Sequence, residues 1–130
     1  MKNRKINVLK LTAGNNVEVV LSQIEDELKN YQDFVEGNIE CVRIKKNLIM
    51  IVNDEGLIRK LPENIIATFL YWSIHGKAVT PICGNVILAG LDPENEEFCN
   101  IPIGEAMQIV YLSRKLRDME TSEDPGARPE

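Results

Sequence analysis

Hydrophobic and polar positions alternate over the first part of the chain, as they do in short strands. The alternation covers residues 5–12 and 17–21, and the turn between them carries Gly and Asn, which tolerate positive φ. Ser22 and Glu25 then have the spacing of a capping box, which predicts that a helix begins there. Gly37 is placed to end this helix. Its apolar face is expected to consist of Ile24, Leu28, Tyr31 and Val35.

Two further strands are predicted in the middle of the chain, at residues 39–44 and 48–52. The second is apolar at every position, so we expect it to lie in the centre of the sheet with both of its faces covered. Residues 53–56 have the composition of a turn. Residues 57–61 could return from that turn as a hairpin partner.

The second half of the chain combines helices with short strands. Pro62 suits the first turn of a helix that runs to about residue 74, and His75-Gly76 is expected to end it. The segments that follow predict strands at residues 79–83, 85–89 and 98–101.

Pro102 is expected to open the last helix, over residues 103–119. Basic residues cluster near its C-terminal end, where they complement the helix dipole. Residues 120–130 have no apolar periodicity, so we expect a disordered acidic tail. The predicted apolar stripe of the helix consists of Ala106, Met107, Ile109, Leu112, Leu116 and Met119.

These elements predict one α+β domain over residues 1–119, with a mostly antiparallel sheet and helices packed against it. The chain has 130 residues, of which 44% are hydrophobic, and this suffices to bury a core without disulfides or a structural metal. The apolar runs are far too short to cross a membrane, and the N-terminus lacks the apolar stretch of a secretory signal. We therefore expect a soluble, cytoplasmic protein.

Charge and cysteine content exclude several classes of partner. The chain has 15 basic and 20 acidic side chains, and the last eleven residues hold four of the acids. The rest of the chain is close to neutral, which does not favour binding along a long nucleic acid. Three cysteines with no CxxC pair indicate neither a metal site nor a disulfide framework. We expect buried, inert thiols and no cofactor.

Groups that could carry out catalysis are scarce. His75 is the single histidine, and no nucleophile motif accompanies it. Asp54 and Glu55 lie in a predicted turn whose geometry they suit, and the carboxylates of residues 92–97 lie in an acidic surface turn. Neither the glycine motif of dinucleotide-binding folds nor a P-loop is present. We expect that the protein is not an enzyme.

Four short motifs follow one another in the chain. They are Leu28-x-x-x-Gln32-x-x-Val35-x-Gly37-x-Ile39-Glu40, Asn53-Asp54-Glu55-Gly56, Leu61-Pro62-x-Asn64 and Ile82-Cys83-Gly84-Asn85. In this order and spacing, over about residues 17–101, the chain resembles a small uncharacterised domain family that is common in phages and mobile elements of Gram-positive bacteria.

The outline of the chain is also similar, more loosely, to the phage Thoeris anti-defence sponges of the first type. These small cytoplasmic proteins are assembled from dimers and hold cyclic ADP-ribose-type and cyclic-oligonucleotide immune signals without cleaving them. The resemblance implies arginines on the phosphates of the ligand and an aromatic or apolar platform for its base. An apolar surplus at residues 69–72 and on the last helix favours a homo-oligomer built on a dimer.

Four side chains are candidates for such a ligand site. Arg114 and Arg117 suit phosphate because the guanidinium group is a planar fork of donors, although arginines near the end of a helix are also common as solvated residues. Tyr71 and Trp72 could stack on a base. Both aromatic residues could equally belong to the core or to a subunit contact.

Two loop residues complete the set of candidates. Gly84 lies in a turn whose backbone amides could form an anion-binding nest, and the same turn could simply require positive φ. Asn85 could form a hydrogen bond with a purine edge or could cap its own turn.

Three functions remain open from the sequence. The first is a phage-type anti-defence protein that binds a small nucleotide-derived signal and sequesters it. The second is a protein-binding inhibitor of a host defence or replication protein. The third is a small hydrolase of a similar nucleotide, and the lack of a base beside a nucleophile argues against it.

Overall fold

The computed structural model describes residues 4–14, 18–76 and 80–122, with the side chains of the last helix described to residue 118. Along the chain, each pair of strands is followed by one helix. They are β1 (Lys5–Thr12), β2 (Glu18–Glu25), α1 (Leu28–Val35), β3 (Ile39–Lys45), β4 (Leu48–Asn53), α2 (Ile65–His75), β5 (Val86–Asp92), β6 (Glu97–Cys99) and α3 (Ile103–Ser122).

The strands form one antiparallel sheet in the order β2-β1-β5-β4-β3. Strand β6 also pairs with β5, beyond the point where β1 ends its pairing. In the described part of the chain, β2 and β3 are therefore the two outer strands. The predicted α+β class, with a mostly antiparallel sheet and helices packed against it, is confirmed.

The sheet is covered on both faces, because apolar side chains of its central strands point alternately to either side. On one face, Leu48, Met50 and Leu88 pack under α2 and α3. On the other face, Ile51 and Ile87 pack in a second cluster with residues of α1. Strand β4 is buried at every position, which confirms the prediction that it is central.

The prediction that a helix begins at Ser22 is wrong. Ser22 pairs with Val8 and Glu25 pairs with Lys5, so both belong to an eight-residue strand. The pairing of β2 with β1 satisfies the backbone along the whole strand, and this outweighs a local cap. The helix begins only at Leu28, without a side-chain cap.

The end of α1 is not placed at Gly37 either. Glu36 adopts the left-handed conformation, with φ 70°. Gly37 is needed for space, because a Cβ atom there would lie 2.7 Å from the amide nitrogen of Asn53. That amide donates a hydrogen bond to the carbonyl oxygen of Val35, 2.9 Å away, and so ties the end of α1 to the end of β4.

Helix α2 begins later than expected. Pro62 precedes the helix, and Asn64 is its N-cap, with a side-chain oxygen that accepts a hydrogen bond from the amide of Ala67 at 3.2 Å. The predicted end at His75-Gly76 is confirmed, since Gly76 has φ 76°. Residues 57–60 form turns and Leu61 is irregular, so the predicted hairpin strand is not formed.

The strand predicted at residues 79–83 is reduced to a single bridge between Cys83 and Glu63, and Val79 lies outside the described residues. Helix α3 continues to Ser122, three residues beyond its predicted end. The tail expected at 120–130 therefore begins in helix, and residues 123–130 lie outside the described part of the chain. None of the described helices is long and apolar enough to cross a bilayer.

Candidate functional site

Helix α3 is anchored on the sheet by one face. Ala106, Ile109 and Ser113 are buried, and they recur at the spacing of a helix. The buried hydroxyl of Ser113 donates a hydrogen bond to the carbonyl oxygen of Val110 at 2.7 Å, so the polar atom is satisfied. Met107, predicted to extend the apolar stripe, is instead 65% exposed.

The exposed side of α3 carries aromatic and basic side chains near its C-terminal half. By helix geometry Tyr111 and Lys115 lie opposite the buried face, and Arg114 and Arg117 lie on one flank of the helix. Tyr111 is 63% exposed, and the ammonium group of Lys115 lies 5.6 Å from the centre of its ring. Arg114 and Arg117 are exposed as well. We call these four residues, Tyr111, Arg114, Lys115 and Arg117, the α3 basic cluster.

The chemistry of the α3 basic cluster suits an anionic ligand with a flat ring. Arginine forms paired, charge-assisted hydrogen bonds to phosphate, and lysine adds a point charge. An exposed tyrosine ring offers a surface on which a base can stack. Because the opposite helix face is packed in the core, these side chains project from a rigid element.

The predicted ligand residue Asn85 is engaged by the protein itself. Its side-chain oxygen accepts a hydrogen bond from the amide of Ala13 at 3.0 Å, and its nitrogen donates to the carbonyl oxygen of Phe34 at 3.2 Å. Gly84, predicted beside it, is buried with φ 102°, and a Cβ atom there would lie 3.0 Å from Leu61. The geometry of the turn and the close packing account for both residues.

Two further asparagines hold the same end of the sheet. The amide group of Asn53 donates to the carbonyl oxygen of Val35, and its oxygen accepts from the amide of Glu55 at 2.7 Å. Asn64 is fully buried and donates to two backbone carbonyl groups while it caps α2. These asparagines and Asn85 form what we call the asparagine cluster, which ties the loops between the strands to one another.

The aromatic candidates lie on α2 and are half-buried. The indole nitrogen of Trp72 donates to the carbonyl oxygen of Thr80 at 3.4 Å. The ring of Tyr71 packs against the ring of His75, with 4.3 Å between their centres. The single histidine is thus a neighbour of an aromatic ring at the end of a helix.

The six predicted site residues belong to three separate parts of the fold. Neighbours of the α2 aromatics are His75 and Thr80, whereas the neighbours of Asn85 come from α1 and from the end of β1. The arginines lie on α3, which packs across β2. Among the six predicted residues, only Arg114 and Arg117 lie next to each other on one exposed surface.

Sequence reasoning missed Tyr111 and Lys115. The signal was present, because Tyr111 precedes Arg114 by three positions and Lys115 by four, and residues at these spacings are neighbours on a helix.

A second group missed in the sequence is structural. The hydroxyl group of Tyr31 donates to Asp26 at 2.6 Å, and the guanidinium of Arg4 lies beside Asp26 and Glu97. Burial and the hydrogen bond to the carboxylate raise the pKa of Tyr31 far above its usual value. Tyr31 belongs to the apolar cluster on the α1 face, and the hydrogen bond to Asp26 satisfies its hydroxyl group there.

The thiols differ in their exposure. Cys83 is buried and Cys99 is half-buried, but Cys41 is exposed on β3, which corrects the prediction that all three are buried. Burial raises the pKa of the Cys83 and Cys99 thiols, and nearby carboxylates raise it further. Within residues 4–14, 18–76 and 80–122, no group of three or more His, Cys, Asp or Glu residues could hold a metal ion.

Comparison with known proteins gives one result. Residues 6–113 match the family model described as Domain of unknown function (DUF3846). No match was found among curated proteins or among solved structures. The match covers all of α1 and α2, about half of α3, and all six strands apart from the first residue of β1.

Proposed function

We propose that this chain, which belongs to the DUF3846 family, binds a small phosphate-bearing nucleotide signal at the α3 basic cluster and sequesters it without cleavage. The signal would be a cyclic nucleotide or a cyclic ADP-ribose-like molecule. The observation that carries the proposal is the exposed group of Tyr111, Arg114 and Lys115, at i, i+3 and i+4 on a helix anchored in the core, with Arg117 one turn beyond Arg114. We place the protein in the cytoplasm of a host cell as a phage-type anti-defence protein that assembles as a homo-oligomer.

The spacing of the cluster supports recognition of phosphate. Arg114 and Arg117 are separated by about 4.5 Å along the helix axis and by about 60° around it. Two guanidinium groups at this spacing can grip one phosphate group from two sides or two adjoining phosphates. Each contact of this kind contributes about 1.5–3 kcal/mol, so two of them supply a useful part of the binding free energy of a small ligand.

Sequestration fits the cluster better than turnover does. Hydrolysis of a phosphodiester needs a base or a metal ion that activates water. The cluster consists of cations and a phenol, which hold an anion but do not generate hydroxide at neutral pH. We therefore expect that a bound signal molecule is released from the protein chemically intact.

A protein-binding inhibitor is the second candidate, and a separate observation favours it. Ile103, Met107 and Tyr111 are spaced by four residues on α3, and each of them is about two-thirds exposed. An apolar stripe on a solvent-facing helix is a common surface for protein contacts. The two functions are distinguished by whether the purified protein retains a bound nucleotide.

Heating the protein after it has been mixed with candidate signals tests the proposal. The protein is incubated with a panel of cyclic mononucleotides, cyclic oligonucleotides and cyclic ADP-ribose isomers, freed of unbound ligand and heated. We expect one member of the panel to be released with its mass unchanged, in near-stoichiometric amount. Recovery of a cleaved product would show turnover. Recovery of none of the panel would favour the protein-binding inhibitor.

A further inference from the structure

The two outer strands of the sheet differ in how well they resist pairing with another chain. Strand β3 has the usual protection of a free edge. Its pairing register shifts between Arg43 and Lys45, and its exposed residues include Glu40 together with both of these cations. The register shift and the exposed charges make this edge an irregular, charged template for a further strand.

The middle of strand β2, residues 19–24, has none of this protection. The strand pairs with β1 over all eight residues without a register shift, so its outer edge is long and regular. No charge lies between Glu18 and Glu25, and the strand contains no proline. Val20 and Leu21 are 48% and 55% exposed. An uncharged, regular edge of this kind is a template for a further strand.

The neighbouring flank of α3 continues the apolar surface. Glu105 forms an ion pair with Lys45 of β3 at 3.1 Å, so this side of the helix faces β3. Met107 and Arg114 are displaced from Glu105 by about 160–180° around the helix, and they therefore face the β2 side. Leu21 pairs with Leu9, whose side chain packs under α2 and α3, so Leu21 lies on the same face of the sheet as α3.

We infer that the β2 edge, together with this flank of α3, binds a second copy of the chain. The two β2 strands pair antiparallel about a twofold axis, and the sheet becomes continuous through both copies. With the axis at Leu21, Val20 faces Ser22 of the second copy and Glu18 faces its Ile24. No charged residue then meets a like charge.

The area available is sufficient for such a dimer. An eight-residue strand is about 26 Å long, and the sheet with one layer of helix is about 20 Å deep. The edge therefore buries about 500 Å² on each copy, or about 1,000 Å² in total, which is at the lower limit for a specific interface.

The dimer would also complete the ligand site. Arg114 lies on the flank that faces the twofold axis, so each copy presents its Arg114 toward that of the other. The resulting groove has guanidinium groups on both sides, which suits a ligand with two phosphates. This part of the inference rests on the proposed function, whereas the β2 contact does not.

The test replaces two exposed residues of the edge with lysine and measures molar mass without ligand. Val20→Lys combined with Leu21→Lys brings four positive charges together at the axis. The matched control is Leu57→Lys combined with Ile58→Lys, because these residues are 51% and 80% exposed in a turn away from both edges. Light scattering on a sizing column gives the mass, and circular dichroism verifies that each variant is folded.

We expect twice the chain mass for the wild type and for the control pair, and the chain mass for the β2 pair with a circular dichroism spectrum like that of the wild type. A monomeric wild type at micromolar concentration would overturn the inference, and so would a β2 pair that stays dimeric. Because no nucleotide is present, failure of nucleotide binding leaves this result untouched. A wild-type dimer with no affinity for any nucleotide would therefore refute the proposed nucleotide binding and would support the β2 interface.

Discussion

Asn64→Ala is expected to lower the free energy of unfolding by about 3 kcal/mol. The side-chain nitrogen of Asn64 donates to the carbonyl oxygens of Leu11 and Gly84, at 3.1 Å and 3.0 Å. Its side-chain oxygen caps α2 through the amide of Ala67. The substitution removes the cap, which contributes about 1 kcal/mol, and leaves buried polar groups without partners, at about 1–3 kcal/mol each. Urea denaturation followed by circular dichroism measures the change.

Two companion variants identify the cause of the loss. Asn64→Ser keeps an oxygen at the N-cap but loses the two donors, so its stability is expected to fall between those of the wild type and Asn64→Ala. Asn95→Ala removes an exposed asparagine whose side chain donates a hydrogen bond to Asp92 in the surface turn, and it is expected to cost less than about 0.5 kcal/mol. Equal stability of Asn64→Ala and Asn95→Ala would refute the structural role of the asparagine cluster.

Arg114→Ala combined with Arg117→Ala is expected to weaken nucleotide binding by at least about a hundredfold. Loss of two charge-assisted contacts of about 1.5–3 kcal/mol each accounts for this factor, since a hundredfold change in affinity corresponds to about 2.7 kcal/mol. The melting temperature should barely change, because exposed arginines contribute little to stability. Titration calorimetry with the nucleotide that the heating experiment identifies gives both affinities.

The control for this variant removes the same charge elsewhere. Arg43 and Lys46 are exposed at the opposite side of the sheet, and Arg43→Ala combined with Lys46→Ala lowers the net charge by the same amount. We expect this control to bind within a few-fold of the wild type. A similar loss in both variants would show a general attraction of anions and not a site on α3.

The sheet was predictable because its central strands carry a strong local signal. Residues 48–52 of strand β4 are all apolar, and such a run suits a strand that is covered on both faces. That Ser22 lies in a strand, and does not begin a helix, was not predictable from local spacing. Ser22 and Glu25 satisfy the capping pattern, but the pairing with β1 is a long-range contact that outweighs it. The same competition explains why the N-cap of α2 is Asn64 and not a residue before Pro62.

The candidate site was predicted only in part, for a physical reason. Gly84 and Asn85 stand out in the sequence because loops favour Gly and Asn, and a ligand site and a cross-linked loop use the same residues. Only the hydrogen bonds to Ala13 and Phe34 show that the Asn85 amide is already engaged. Arg114 and Arg117 were found because charge on a helix face is legible at helical spacing. The exposure of Tyr111 beside them required the packing of α3.

The most direct measurement of the central claim maps the bound nucleotide on the protein by backbone amide chemical shifts. The nucleotide is titrated into isotopically labelled wild-type protein, and the shift of each amide is followed. We predict the largest changes in amide chemical shift in the second half of α3, around Tyr111 and Arg114, with little change at Asn53, Asn64 and Asn85. Changes centred on the asparagine cluster, with α3 unaffected, would contradict it.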